Sequence, residues 1–413
     1  MDEPLPFPFA SERLFSPPER FRTLRDERPV ARVRFPTGDE GWLVTRYADV
    51  RTVLMDPRFS RAAAARRDAP RMRPMPADPA TILSLDPPAH TRLHKLVVRA
   101  FSARRVDALR PRITELTTSL LDAMATSGPP ADLVASLALP LPIAVIADLL
   151  GIPPHDRARF RDDADTMLSL HGHTPEEVRA AREHMNAYLA EIVAAKRATP
   201  PGEARAGTCP AAAAPPEEAG GDDLIGALVR ARDEDALSER ELVTMAATLL
   251  IAGYHTTSSA LSGGVLTLLR QGRDAWAATR GETVGATVDE LLRYAANAVN
   301  GGNLRVATED VKLGGVLIRA GDAVLPSTVS ANRDAGVFKD PDRFDPARAD
   351  NPHIAFGAGP HYCLGARLAR LELTVALHAL FARFPTLRLA VPEEELRPTG
   401  TVIRGLERLP VTW

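Results

Sequence analysis

Cys363 stands in the stretch HIAFGAGPHYCLGARLARLE, residues 353–372, with Gly357, Gly359 and Gly365 around it and an amphipathic helical pattern behind it. At a helix start, unpaired backbone N–H groups and the helix dipole favour a thiolate over a thiol. The glycines remove side chains, so backbone can approach something large and flat. A thiolate held there is suited to act as an axial ligand of haem iron. A helix-start cysteine behind a glycine loop is the plain alternative, and a zinc site using His361 and Cys363 is another. Zinc requires further Cys or His ligands nearby. The other cysteine, Cys209, lies in PPGEARAGTCPAAAAPPEEAGGDD, a composition expected to form a flexible loop, and no disulfide between the two is expected.

A second concentration of chemistry-bearing types is AGYHTTSS, residues 252–259, directly behind the apolar run MAATLLI. Glycine, histidine and hydroxyls are an unusual choice for the middle of an apolar helix, where Gly alone costs roughly 1 kcal/mol against Ala. Ala252 and Thr256 are four apart and Gly253 and Thr256 three apart, which places all three on one helix face.

These residues need elements to hold them. Near the N-terminus, ARVRF alternates Ala31, Val33 and Phe35 with Arg32 and Arg34, PTGDEG turns, and GWLVTRY returns, the pattern of a β-hairpin. From AHTRLHKLVVRAF to PEEVRAAREHMNAYLAEIVAAKRA, apolar residues recur at three and four. Residues 199–222 are expected to form a surface loop. DDLIGALVRARDE, a long helix from about 238 to 271, and TVDELLRYA follow. Beyond residue 300, VKLGGVLI sets a Gly-Gly turn between short strands, and CLGARLARLELTVALHALFARF forms a last helix. The expected fold class is mainly α with small β-sheets and no repeats.

With 51 basic and 53 acidic residues the net charge is −2, so no charge excess points to nucleic acid or a membrane surface. MDEPLPFPFASERLF lacks the basic and apolar regions of a signal peptide. The longest apolar stretch is broken by Pro140, Pro142 and Asp148, too interrupted to span a bilayer. A soluble, cytoplasmic protein is expected, with neither nucleic acid nor membrane as partner.

The segment FGAGPHYCLG resembles the cysteine-ligand loop of the cytochromes P450 at Phe356, Gly357, Gly359, His361, Cys363 and Gly365. The likeness is to soluble bacterial, actinomycete-like members of natural-product biosynthesis, and motifs in order cover nearly the whole chain. It implies a single domain over residues 1–413, a triangular helical prism with haem b between a long oxygen-binding helix and the cysteine loop. Cys363 is then the axial thiolate and metal ligand, with Phe356 and Gly357 beside it. The propionate partners implied are His361, Arg305 of NLRVA, and His90 and His94 of DPPAHTRLHK. The family usually has Arg where this chain has His94, and imidazole donates less reliably at neutral pH than guanidinium. ELLR supplies Glu290 and Arg293, which resemble the family's Glu-x-x-Arg, and the implied partner is Arg343 of DPDRF in a structural network.

AGYHTTSS resembles the oxygen-binding helix. Ala252 and Gly253 then let a flat ring and dioxygen lie against the helix, and the Thr256 hydroxyl bonds that oxygen or a water feeding it protons. His255 replaces the usual acid. A proton relay ranks first for it, since imidazole titrates near ~6.5. Substrate binding, slowed proton delivery favouring radical coupling, and an outward His bonding a neighbouring helix remain open.

The resemblance implies a haem-thiolate monooxygenase that uses O2 and two externally supplied electrons to oxidise a small secondary metabolite. Oxidative aryl, phenol or cyclic-dipeptide coupling is the alternative within the class, and a haem-thiolate ligand sensor the alternative outside it. Asn297, Asn300, Asn303 and Tyr254 are candidate substrate contacts. Arg61, Arg66, Arg67, Arg71 and Arg73 in the loop over 61–85 are expected to be a solvated face rather than contacts to an anionic or phenolic substrate. Electrons are expected from ferredoxin and ferredoxin reductase, received at a basic patch of Arg104, Arg105, Arg367 and Arg370.

Overall fold

A computed structural model describes residues 3–73, 77–156, 160–169, 173–198, 223–233, 236–272, 275–276, 278–296 and 302–413. The loop expected at 199–222 with Cys209, and the candidates Asn297 and Asn300, lie outside the described residues. From the N-terminus, the elements are β1 (Leu5–Pro6), α1 (Arg20–Glu27), β2 (Val30–Arg34), β3 (Glu40–Val44), α2 (Tyr47–Met55), β4 (Phe59–Ser60) and α3 (Arg61–Ala64). The helical part follows: α4 (Ala89–Val97), α5 (Ala103–Ala108), α6 (Arg110–Ser127), the short β5 (Ala131–Asp132), α7 (Pro140–Leu150), α8 (Arg161–Leu168), α9 (Pro175–Arg197), α10 (Leu224–Asp233), α11 (Glu239–Gln271) and α12 (Val284–Tyr294). The chain ends with β6 (Arg305–Ala307), β7 (Val311–Leu313), β8 (Val316–Ile318), β9 (Ala323–Pro326), α13 (Thr328–Ala331), α14 (Ala366–Arg383), β10 (Arg388–Leu389) and β11 (Pro410–Thr412).

The expected hairpin is β2 against β3, antiparallel, with Val33 opposite Gly41 and Ala31 opposite Leu43. It joins a sheet ordered β1-β2-β3-β9-β6-β4. That sheet brings β4 antiparallel to β6, with Phe59 opposite Ala307, and so sets residues 59–61 beside Arg305. β7 and β8 form the second expected hairpin, where Gly314 and Gly315 take φ of +53° and +81°, the left-handed pair that a two-residue turn of this hand demands.

α11 is the axis of the helical part. Ser238 caps it by accepting from the Glu241 N–H, while the Glu241 side chain returns to the Ser238 backbone, a reciprocal capping box. Its 33 residues make it about 50 Å long. Leu242, Met245, Leu250, Leu261, Val265 and Leu268 are buried along it, against α7, α9, α10, α12 and α14.

A buried charge network ties α12 to the segment leading to the cysteine loop. Glu290 and Arg293 have fully buried side chains. The carboxylate accepts from Arg293 Nε at 2.8 Å and Nη2 at 2.7 Å, from the Asp345 N–H at 2.8 Å, from Arg348 Nε at 3.1 Å and from Asn351 Nδ2 at 3.3 Å. Arg293 also donates to the backbone carbonyls of Asn332, Pro341 and Arg343 at 2.9, 2.8 and 3.2 Å. This corrects the expected role of Arg343. Its N–H closes a turn onto the Asp340 carbonyl, its side chain is exposed, and only its carbonyl joins the network. Beyond that turn the chain folds back over α12, which makes Arg348 the second guanidinium on Glu290.

Removing one partner of such a pair strands a buried charge. Arg293→Ala is expected to cost about 3–5 kcal/mol of stability, with Arg348→Gln intermediate and Arg343→Gln within about 0.5 kcal/mol of the parent. Chemical denaturation of the three variants checks the ranking, and equal effects at 343 and 348 contradict it.

Candidate active site

The loop before α14 is shaped by its backbone. The Cys363 N–H donates to the Phe356 carbonyl at 3.0 Å and the Tyr362 N–H to the Gly359 carbonyl at 3.0 Å. Gly357 and Gly359 hold φ of +76° and +71°, a region that strains any residue with a β-carbon. A β-carbon on Gly359 would also fall 2.7 Å from the Leu54 carbonyl oxygen. These two glycines serve the turn, whereas Gly365 keeps space open, since a β-carbon there would meet nothing within 4 Å. Phe356 lies under the Arg370 guanidinium, 4.6 Å from its ring centre.

Cys363 is accessible by area, yet the space it opens into is enclosed by protein. Burial pushes its thiol above the ordinary value, while the Gly365 backbone and Arg370 act in the opposite direction. The expected helix-start preference for thiolate is therefore outweighed by desolvation in the protein by itself. A thiolate at this position calls for a cation at the sulfur.

The residues expected to meet propionates converge. The rings of His90 and His361 are 4.3 Å apart and those of His90 and His94 5.4 Å apart. Arg305 is buried and donates through Nη1 to the Phe59 carbonyl at 3.3 Å. Arg61, expected on a solvated face, joins them: it is buried, and burial together with neighbouring Arg305 lowers it to about 9. Burial lowers Arg305 to about 10. Burial, followed by the positive fields of Arg61, His90 and Arg305, pushes His361 down to about 3. The nearby carboxylate, Asp86, is committed elsewhere, accepting from the Ser60 hydroxyl at 2.5 Å and the Arg61 N–H at 2.9 Å at the start of α3. His361 Nε2 and Arg305 Nε are buried without any hydrogen-bond partner.

On α11, Ala252 and Thr256 are exposed although most of the surrounding helix is buried. The Thr256 hydroxyl donates to the Ala252 carbonyl at 2.8 Å. Gly253 does not belong to that open face as expected. A β-carbon on it would lie 2.7 and 2.8 Å from Ile146 side-chain carbons, so the glycine allows α7 to approach α11. His255 reaches across to α8, its Nε2 2.7 Å from Asp165 Oδ1. This is the arrangement of a His bonding a neighbouring helix, but with a carboxylate as partner. Tyr254 is fully buried against Phe160, their ring centres 6.2 Å apart, which corrects its expected place among the substrate contacts: two positions from both Ala252 and Thr256, its side chain is turned about 200° from the open face. Asn303 is exposed.

The expected basic patch is partly neutralised. Arg367 pairs with Asp107 at 2.5 Å and Arg370 with Asp289 at 2.7 Å, so two of its four cations already have acidic partners.

The enclosed cluster fits haem. Two buried guanidiniums and three imidazoles face one carboxylate that is spent on the Ser60 hydroxyl and the Arg61 and Ala62 N–H groups, and two of their nitrogens lack partners, which suits a ligand bearing two carboxylates. Cys363 beside the open space at Gly365 suits a flat group carrying a cation.

The comparisons agree with this geometry. The family described as Cytochrome P450 matches residues 282–403. The chain is 49% identical over 397 residues to a nocardicin C N-oxygenase of Nocardia uniformis subsp. tsuyamanensis, covering 95% of this chain and 94% of that one. It is 44% identical over 414 residues to a mycinamicin IV hydroxylase/epoxidase of Micromonospora griseorubida, covering 100% and 99%. The crystal structure of the LnmA cytochrome P450 hydroxylase from the leinamycin biosynthetic pathway of Streptomyces atroolivaceus S-140 superposes with a TM-score of 0.86 at 45% identity, covering 99% and 100%. The chain belongs to the cytochrome P450 family. It has the P450 fold and is a P450 monooxygenase, an oxidoreductase of the kind that works in natural-product biosynthesis. Membership implies a haem-thiolate group, a small-molecule substrate, O2 and redox partners. Among the described residues no helix is long and apolar enough to cross a membrane.

The close approach of α7 and α11 gives a packing test. Gly253→Ala is expected to lower the denaturation midpoint in the parent chain and to be neutral or stabilising in an Ile146→Ala background, where the clash is gone and alanine's helix preference of about 1 kcal/mol remains. A coupling near zero in that double-mutant cycle would show that Gly253 has another role.

Proposed function

We propose that the chain, as a single domain over residues 1–413, binds haem b through Cys363 and oxidises a small secondary metabolite in the cytoplasm. Electrons come from ferredoxin and ferredoxin reductase. The observation that carries this reading is the pair of unpartnered buried nitrogens, His361 Nε2 and Arg305 Nε, in a cation-rich cluster. Bound haem supplies the activation of dioxygen and the transfer of an oxygen atom to substrate.

The protein's own groups divide the remaining work. Cys363 holds the metal, its anionic form stabilised by that positive charge. Arg305, His361, His90 and His94, joined by Arg61, orient the carboxylates of the ring system. Ala252 keeps a side of α11 low, and Phe356 with Gly357 shapes the other. Thr256, with its hydroxyl hydrogen on the Ala252 carbonyl, keeps oxygen lone pairs available to accept from a water.

His255 and Asp165 form the proton route. The Asp165 side chain is 43% exposed and that of His255 11% exposed, so the carboxylate meets solvent and the imidazole lies inward of it. Asp165 Oδ1 is 2.7 Å from His255 Nε2, close enough to hold a shared proton. The acid usual on α11 is thereby supplied from α8.

Two measurements test this. The reduced protein with CO is expected to give the thiolate-type absorption band, and Cys363→Ser to abolish it; a band that survives this substitution removes Cys363 as ligand. His255→Ala and Asp165→Asn are each expected to slow product formation roughly 10- to 100-fold, the lower part of the general acid–base range, and to divert consumed NADPH to peroxide. Unchanged coupling in both variants, across the pH profile, would exclude the relay.

A further inference from the structure

A half-open pocket lies away from the Cys363 cluster, among residues 65–67 and 77–79, α9 and the start of α11. Its volume is about 540 Å³. Arg67, Arg182 and Arg240 line it, with Asp78 the one carboxylate among the described lining residues and with Asn186 and Thr244 as further polar groups. Asp78 does little to neutralise them. Its Oδ1 accepts from the Ala80 N–H at 2.9 Å, and its Oδ2 is a long 3.5 Å from Arg182. Arg67 and Arg240 make no ion pair with any described residue. Arg73 adds a further positive charge close by, lowered by burial and by Arg182 beside it.

α11 runs from the pocket, at Thr244, to the open face at Ala252 and Thr256. Between Thr244 and Thr256, the residues that are not fully buried are Thr248, Ile251, Ala252, Gly253 and His255. Thr248, Ala252 and Thr256 follow Thr244 at spacings of four, eight and twelve, one i+4 row along the helix. At 1.5 Å per residue, the twelve positions from Thr244 to Thr256 span about 18 Å.

Resting on the proposed reading of the Cys363 cavity, we infer that the arginine-lined cavity is a carboxylate subsite, and that the substrate is an elongated carboxylic acid anchored there with its far end beside Ala252 and Thr256. Guanidinium forks suit a carboxylate, which takes two N–H bonds from one Arg. Three cations facing one partly engaged acid attract such a group and disfavour a cationic one.

The test uses the haem-loaded full chain and two matched series of increasing length: straight-chain carboxylic acids ending in imidazole, and their methyl esters. Imidazole ligation of the haem iron shifts the Soret band, so affinity is read without turnover. Short acids and esters are expected to bind alike. Once the chain spans about 18 Å, the acid is expected to bind about tenfold tighter than its ester, a preference that weakens with added salt. Arg182→Gln and Arg240→Gln are each expected to reduce that preference severalfold. Arg240 is exposed and makes no ion pair among the described residues, so its substitution probes the charge without disturbing the Asp78 turn. Equal affinities of acid and ester at every length, or a preference that neither substitution changes, overturn the carboxylate subsite while leaving haem binding intact. A protein that holds no haem, and so shows no Soret band to shift, overturns both the subsite and the reading on which it rests.

Discussion

Glu290 and Arg293 are opposite charges held where neither meets water, and the lower half of the site depends on that constraint. Taking two ions out of solvent is favourable only if every remaining lone pair and proton finds a partner. Here those partners come from the segment between β9 and α14: three carbonyls on Arg293, and an amide, a guanidinium and a carboxamide on Glu290. The chain from Asn332 to Asn351 is thus fixed in place by the need to satisfy one buried pair. Ile354 is anchored in turn by its N–H on the Asn332 side chain at 2.8 Å. Cys363 inherits its position from this sequence of bonds.

The upper half has a different basis. α11 carries the exposed pair Ala252 and Thr256 on a helix whose other sides are packed, and at Gly253 a side chain would have no room beside Ile146. The two halves meet around a space whose chemistry is lopsided: cations and imidazoles without matching acids at one edge, a sulfur at the floor, and an apolar helix with a single hydroxyl opposite in character. Burial sets the protonation of these groups more than their mutual contacts do, as the lowered His361 and the raised Cys363 both show.

Much of this was legible in the residues. Both hairpins followed from alternation and turn glycines, and α11 starts and stops within a residue of the expected 238 and 271. The cysteine loop and the histidines expected beside it do converge. What was hidden depends on tertiary geometry. Arg61 stands in an arginine-rich stretch that reads as solvated, and only the pairing of β4 with β6 makes it a neighbour of Arg305. Gly253 satisfies the spacing of the open face, but spacing cannot tell which neighbour a missing side chain accommodates. Arg343 has the expected sequence position, whereas the turn after it delivers Arg348. Asp165 carries no local signal at all, lying 90 residues from the histidine it meets.

The bond between His255 and Asp165 also joins two helices with different duties. α11 holds the open face, and α8 ends at Leu168, after which the extended Ser169 bridges to Thr401. On the proposed relay, a separation of α8 from α11 at these two side chains breaks the proton connection through Asp165 as well as the tie between the helices.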